Sequence, residues 1–115
     1  MSQIKVEEQI GGVILQLKGQ FIGGDETDEL RSVLKGITEQ DKKNLIINME
    51  KVTYLNSTAL GILISAHASF AKKGGKVVIC NLAKSIENIF VITKLTLVFE
   101  IALDLNSAIK IFSNN

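Results

Sequence analysis

Residues 45–64 read LIINMEKVTYLNSTALGILI. The run NLIINM at 44–49 is apolar and of strand length, as expected for a strand near the centre of a sheet with both faces covered. The next six residues, EKVTYL at 50–55, are expected to form a loop. From Asn56 the chain reads NSTALGILISAHASFAKKGG, a helix with Leu60, Leu63, Ile64 and Ala71 on one stripe. Gly74-Gly75 closes it with the glycine that helix C-termini favour. A buried strand, a short polar connection and an apolar helix form the first part of a strand–helix–strand unit, which implies a parallel sheet.

The same alternation extends in both directions. KVVICNL at 76–82 is a second buried-type strand. Ser85 is placed to cap a helix whose face carries Ile86, Ile89, Phe90 and Thr93. VFEIALD at 98–104 sets Phe99, Ile101 and Leu103 against polar or small residues, the period of a strand. Asn106 is placed to cap a last helix, with Leu105, Ala108, Ile109 and Phe112 in step. Upstream, Ile4 and Val6 alternate with Lys5 and Glu7, and Val13, Leu15 and Leu17 alternate partly with Gln16 and Lys18. Gly11-Gly12 between them suits a hairpin turn. Leu30, Val33, Leu34 and Ile37 recur at helical spacing, with Asp25 or Thr27 as the cap and Asp28 and Glu29 at the positive end of the dipole. The order is ββαβαβαβα. It predicts an α/β fold: a small mixed sheet, opened by an antiparallel hairpin and continued by parallel strands through right-handed crossovers, packed by about four helices. No linker composition or repeat interrupts it, so residues 1–115 are expected to form a single domain.

Composition narrows the function classes. Of the 115 residues, 46% are hydrophobic, so a packed core is expected rather than disorder. Net charge is +1 at pH 7, which offers no electrostatic footing for nucleic acid or an anionic membrane. No apolar run reaches the roughly 18 residues of a spanning helix, and MSQIKVEEQI lacks the layout of a signal peptide. With a single cysteine, Cys80, no internal disulfide is available. The expected protein is cytoplasmic, with no membrane insertion and no direct nucleic-acid contact.

Asn56, Ser57 and Thr58 carry the chemistry worth weighing. They sit at a helix start, beyond the carboxyl end of a parallel strand, where such sheets bind ligands and partners. Any of the three can be a plain N-cap, because first-turn amides lack partners. A phosphate on a first-turn serine would be tolerated by the dipole and free amides of its own helix. It would repel a neutral or acidic partner surface docked there. Spacing does not choose between the two readings. His67 is the only histidine; it lies near the apolar stripe and reads as a packing residue. One histidine and one cysteine cannot assemble a multi-ligand metal site, and Cys80 within an apolar strand reads as inert. Ser57 is no hydrolase nucleophile: His67 lies about 15 Å further along the same helix. Gly23-Gly24 leads into acids, which a phosphate cradle does not want. No cofactor is expected, and no acid, base and nucleophile converge to suggest an enzyme.

Asn56-Ser57-Thr58-Ala59-Leu60-Gly61 resembles the Asp-Ser-Ser/Thr-Gly-Leu-Gly turn of STAS-domain anti-sigma-factor antagonists, and it follows the kind of strand that precedes that turn. Gly19-Gln20-Phe21 is similar to the Gly-Glu-Leu that closes the family's second strand. Gly74-Gly75-Lys76-Val77 matches its glycine pair before a strand, and Ile92-Thr93-Lys94-Leu95 with Val98-Phe99-Glu100 matches its approach to the last strand. The resemblance spans nearly the whole chain and implies a STAS-like fold. It implies that Ser57 is the phosphorylation site, with Thr58 as second candidate. The partners it implies are an anti-sigma factor that is also a serine kinase, and a serine phosphatase that reverses the mark. The unphosphorylated antagonist binds the kinase and so frees a sigma factor. The expected partner surface comprises Gln20, Ile22, Gly23, Tyr54, Asn56, Ser57 and Thr58. Three residues depart from the pattern: Asn56 and Ile22 stand where the family carries acids, and Ala59 stands where it carries glycine. A second expectation fits those departures: a STAS subunit of a larger assembly, such as a lipid-transport ABC complex or a stress-signalling scaffold, docking without phosphate.

Overall fold

The computed structural model describes residues 3–9 and 11–113. Its elements are β1 (Ile4–Gln9), β2 (Gly12–Phe21), α1 (Asp25–Thr38), β3 (Asn44–Leu55), α2 (Ser57–Lys72), β4 (Lys76–Cys80), α3 (Lys84–Ile92), a 3-10 turn (Leu95–Leu97), β5 (Glu100–Ala102) and α4 (Leu105–Ser113). One five-stranded sheet runs in the order β1-β2-β3-β4-β5. The opening hairpin is antiparallel, and every later pair is parallel.

Strand order follows chain order, so right-handed crossovers step the same way each time and leave their helices on one face. Leu15, Leu17, Leu45, Ile47, Val77 and Ile79 point to that face and form one core with α1, α2 and α3. The alternate residues Ile14, Ile46, Val78, Cys80 and Ala102 point to the other face, where Ala108 of α4 covers them. Near the end of this second face the apolar filling gives way to amides. Asn48, 4% exposed, donates to Gln16 Oε1 at 3.3 Å. Its own Oδ1 accepts from Asn81 Nδ2 at 3.0 Å and from the Glu50 amide at 3.1 Å. Gln16 in turn bonds the Glu7 carboxylate. A buried amide with its polar atoms satisfied holds strand register, since a slip would strand them.

Several sequence expectations change. Residues 50–55 are not a loop but the second half of β3. Two register shifts against β2 explain the misreading: Asn48 to Lys51 opposes Gln16 to Lys18, and Val52 to Tyr54 opposes Gly19 to Gln20. Each adds a residue to β3, so burial falls on Met49, Val52 and Leu55 and the period-two signal is lost. In α2 the buried residues are Ala59, Ile62, Leu63, Ala66 and Phe70; of the expected stripe Leu63 is buried and Leu60 packs partly buried against the core, while Ile64 and Ala71 are exposed. Apolar residues surround most of this helix, so their pattern does not fix its phase; small Ala59 and Ala66 are among the residues that face the core. Helix α3 starts one residue before Ser85, with Ala83 at the cap position and no side-chain cap bond. Asp104 rather than Asn106 caps α4, its Oδ1 accepting from the Ser107 amide at 2.8 Å. The last strand is three residues long, and Leu103 is 84% exposed.

Candidate functional site

The ends of β2 and β3 and the start of α2 are stitched together by one bond beyond the ladder, Asn56 N–H to Phe21 O at 3.0 Å. That bond turns the chain from strand to helix with Asn56 extended (φ −91°, ψ 179°) and Ser57 as the first helical residue. The Asn56 side chain accepts from the Ala59 amide at 2.9 Å, and its carbonyl accepts from the Leu60 amide at 3.0 Å. Asn56 therefore does the capping, and Ser57 and Thr58 do not. Both are exposed, and neither hydroxyl has a hydrogen-bond partner among the described residues. No acid lies in the first turn of α2. Asn56→Ala is expected to cost about 1 kcal/mol, the usual worth of such a cap, measured by urea unfolding, with Asn56→Asp close to neutral.

The bulges of β3 turn Tyr54 outward; it is 48% exposed beside its register partner Gln20. Ile22, 56% exposed, follows directly after β2. Gly23 comes so close to Asn56 that a Cβ there would lie 3.4 Å from Asn56 Nδ2. The structure thus gathers Gln20, Ile22, Gly23, Tyr54, Asn56, Ser57 and Thr58 at the carboxyl ends of two neighbouring strands.

A feature absent from the sequence reading holds the 22–24 loop. Neither Asp25 nor Thr27 caps α1 in the expected sense; Gly24 occupies the cap position with no side-chain bond. Instead the first turn reaches backward. Glu26 Oε2 accepts from the amides of Ile22 at 2.8 Å and Gly24 at 3.1 Å, and from Thr27 Oγ1 at 2.7 Å. Thr27 Oγ1 accepts from the Gly23 amide at 2.9 Å. Glu26, second in the helix, and Thr27, third, thus reach back to amides at and before the cap, much as the acid of a capping box does from the third position. Acids shortly after a glycine pair were the only trace of this in sequence. The Thr27 hydroxyl, then the Ile22 amide, hold the Glu26 carboxyl down from 4.5 to about 2. A depressed folded pKa stabilises above the unfolded value, and that contribution is lost as pH falls from 4.5 through 2. The melting temperature should therefore fall more steeply across that window in the native protein than in Glu26→Gln.

The remaining candidates are structural. Cys80 is fully buried, and burial, then Asp104 and Glu50, push its thiol up to about 11. His67 packs edge-on against Phe99 with ring centroids 5.3 Å apart, and its Nδ1 is buried without a partner. Among the described residues no group of three or more His, Cys, Asp or Glu is placed to hold a metal ion.

The sequence model of the STAS domain matches residues 3–108. Among solved structures, an anti-sigma factor antagonist from Mycobacterium paratuberculosis superposes with a TM-score of 0.83 at 20% identity, covering 93% of this chain and 90% of that one. The Bacillus cell fate determinant SpoIIAA in its phosphorylated form gives 0.71 at 16% identity over 86% and 90% of the two chains. A sulfate transporter family protein from Wolinella succinogenes gives 0.75 at 20% identity over 87% and 83%. At these identities the likeness is one of fold.

Proposed function

The chain belongs to the STAS-domain family, and from that premise we propose that it is an anti-sigma-factor antagonist, switched by reversible phosphorylation at Ser57. The observation that carries the proposal is the division of labour at the start of α2. Asn56 satisfies the helix amide, so the Ser57 hydroxyl is exposed and unengaged. A kinase can take this hydroxyl without first breaking a structural bond. In the transfer, Ser57 Oγ forms a bond to the γ-phosphorus of ATP, ADP leaves, and the hydroxyl proton passes to a base on the kinase. The new dianion sits at the positive end of α2, which tolerates it. The chain itself catalyses nothing.

On this reading Gln20, Ile22, Gly23, Tyr54, Asn56 and Thr58 surround the switch and meet the anti-sigma serine kinase; a serine phosphatase resets it. The site of action is the cytoplasm, where ATP and sigma factors are. No helix among the described residues is long and apolar enough to cross a membrane. Purified protein incubated with its cognate kinase and ATP should gain one phosphate, absent in Ser57→Ala. An unchanged intact mass, with the kinase active on a control substrate, would overturn the assignment. Thr58 is the fallback acceptor if Ser57→Ala is still labelled.

A second reading is favoured by the neutral character of Ile22 and Tyr54, both about half exposed. These residues suit a permanent apolar contact in a larger assembly, with no phosphate turnover. Stable co-purification with a multi-subunit complex, and no labelling by any kinase encoded nearby, would support it instead.

A further inference from the structure

Helices α1 and α2 pack side by side, yet a groove of about 400 Å³ remains between them. Its α2 wall carries Thr58, Gly61, Ser65 and Ser69, small residues at successive turns. Small residues along a helix usually serve close approach of a neighbour. At Gly61 there is room to spare, because a Cβ built there would meet nothing within 4 Å. The room is left open rather than filled by the facing helix.

The chemistry of the walls is one-sided. Arg31 and Lys35 line the α1 side, and no acid lines the groove. Among the described residues Arg31 is held only by Asp28 at 3.1 Å, an exposed pair one turn apart, which water screens and a stronger anion can displace. Lys35 has no acidic partner among the described residues, and the hydroxyls of Thr58, Ser65 and Ser69 have none of any kind. Leu34 and Ile62 border the groove but are buried, 2% and 8% exposed. Two cations and three uncommitted hydroxyls match a phosphate dianion.

We propose that the α1–α2 groove binds a phosphate dianion, held between Arg31, Lys35 and the α2 hydroxyls. The site does not require Ser57 to be phosphorylated, so it stands or falls separately from the switch. The test is a titration of the full chain with phenyl phosphate, followed by amide NMR, with inorganic phosphate as the head-group-only probe. Saturable shifts confined to residues around 31, 35, 58, 61, 65 and 69 are expected with both probes. Lys35→Glu should weaken binding by more than about tenfold. Gly61→Leu should block the groove while leaving the helix intact, since leucine is the better helix former. Ser57→Ala should bind as the native protein does. Shifts that fail to saturate, that track ionic strength over the whole surface, or that survive both Lys35→Glu and Gly61→Leu would overturn the proposal.

Discussion

Gly75→Ala is expected to destabilise the protein by about 3 kcal/mol, at the severe end of overpacking, whereas Gly74→Ala should cost only about 1 kcal/mol. The ranking is the reverse of what backbone angles suggest. Gly74 has the left-handed φ of +76°, but a Cβ there meets nothing within 4 Å. A Cβ on Gly75 would lie 1.7 Å from Lys43 O and 2.7 Å from its carbonyl carbon, both backbone atoms. Neither side of that contact can yield easily. Gly75 N–H donates to Phe70 O at 2.9 Å and Gly74 N–H to Ala71 O at 3.0 Å, the paired bonds of a Schellman ending. Lys43 O accepts from the Lys76 amide at 2.9 Å, which ties β4 to the entry of β3. The Lys73 ammonium clasps the same entry through Gln40 O and Lys42 O, each at 2.9 Å. Relief of the clash must open one of these bonds at the centre of the sheet. Urea unfolding of the two variants decides the matter: equal costs would mean that φ, not the Lys43 carbonyl, governs this turn.

That turn illustrates what sequence patterns convey. A glycine pair after an apolar helix marks its end, but the order of the two costs depends on a carbonyl about thirty residues away. The same limit runs through the fold. The hairpin, the parallel order and the α1 face are legible because Ile4, Leu15, Leu17, Leu30, Leu34 and Ile37 keep their periods without interruption. The upper half of β3 is not, because two extra residues shift Val52 and Leu55 out of alternation. The phase of α2 is not, because apolar side chains leave too little polar contrast. At the candidate site the stretch 56–58 stands out as three adjacent polar residues, each able to cap. Only the Asn56–Ala59 bond separates their roles. The Glu26 clasp is invisible for a different reason: it acts on amides that precede it, in a loop whose path no local pattern specifies.

On the proposed function, Ser57→Asp is expected to weaken binding to the anti-sigma kinase by roughly a hundredfold, about 2.7 kcal/mol, while the melting temperature stays level or rises by a few degrees. The two halves of this expectation come from opposite sides of one side chain. Toward its own protein, the Ser57 hydroxyl is exposed and has no hydrogen-bond partner among the described residues. A carboxylate there meets the positive end of α2, with no acid in the first turn, and gains roughly 0.3–1 kcal/mol. Toward a partner, the neighbours that would frame the contact are Ile22 and Tyr54, both exposed and uncharged. A partner surface fitted to them offers the carboxylate no cation, and burying a charge unpaired costs several kcal/mol. Ser57→Asn controls for size, because it adds nearly the same volume without charge, and Ser57→Ala should bind within about threefold of the native chain. Titration calorimetry against the kinase separates the cases. If Ser57→Asn weakens binding as much as Ser57→Asp, bulk rather than charge is read at this position. A phosphate at Ser57 would then act by displacing the partner's surface instead of repelling it.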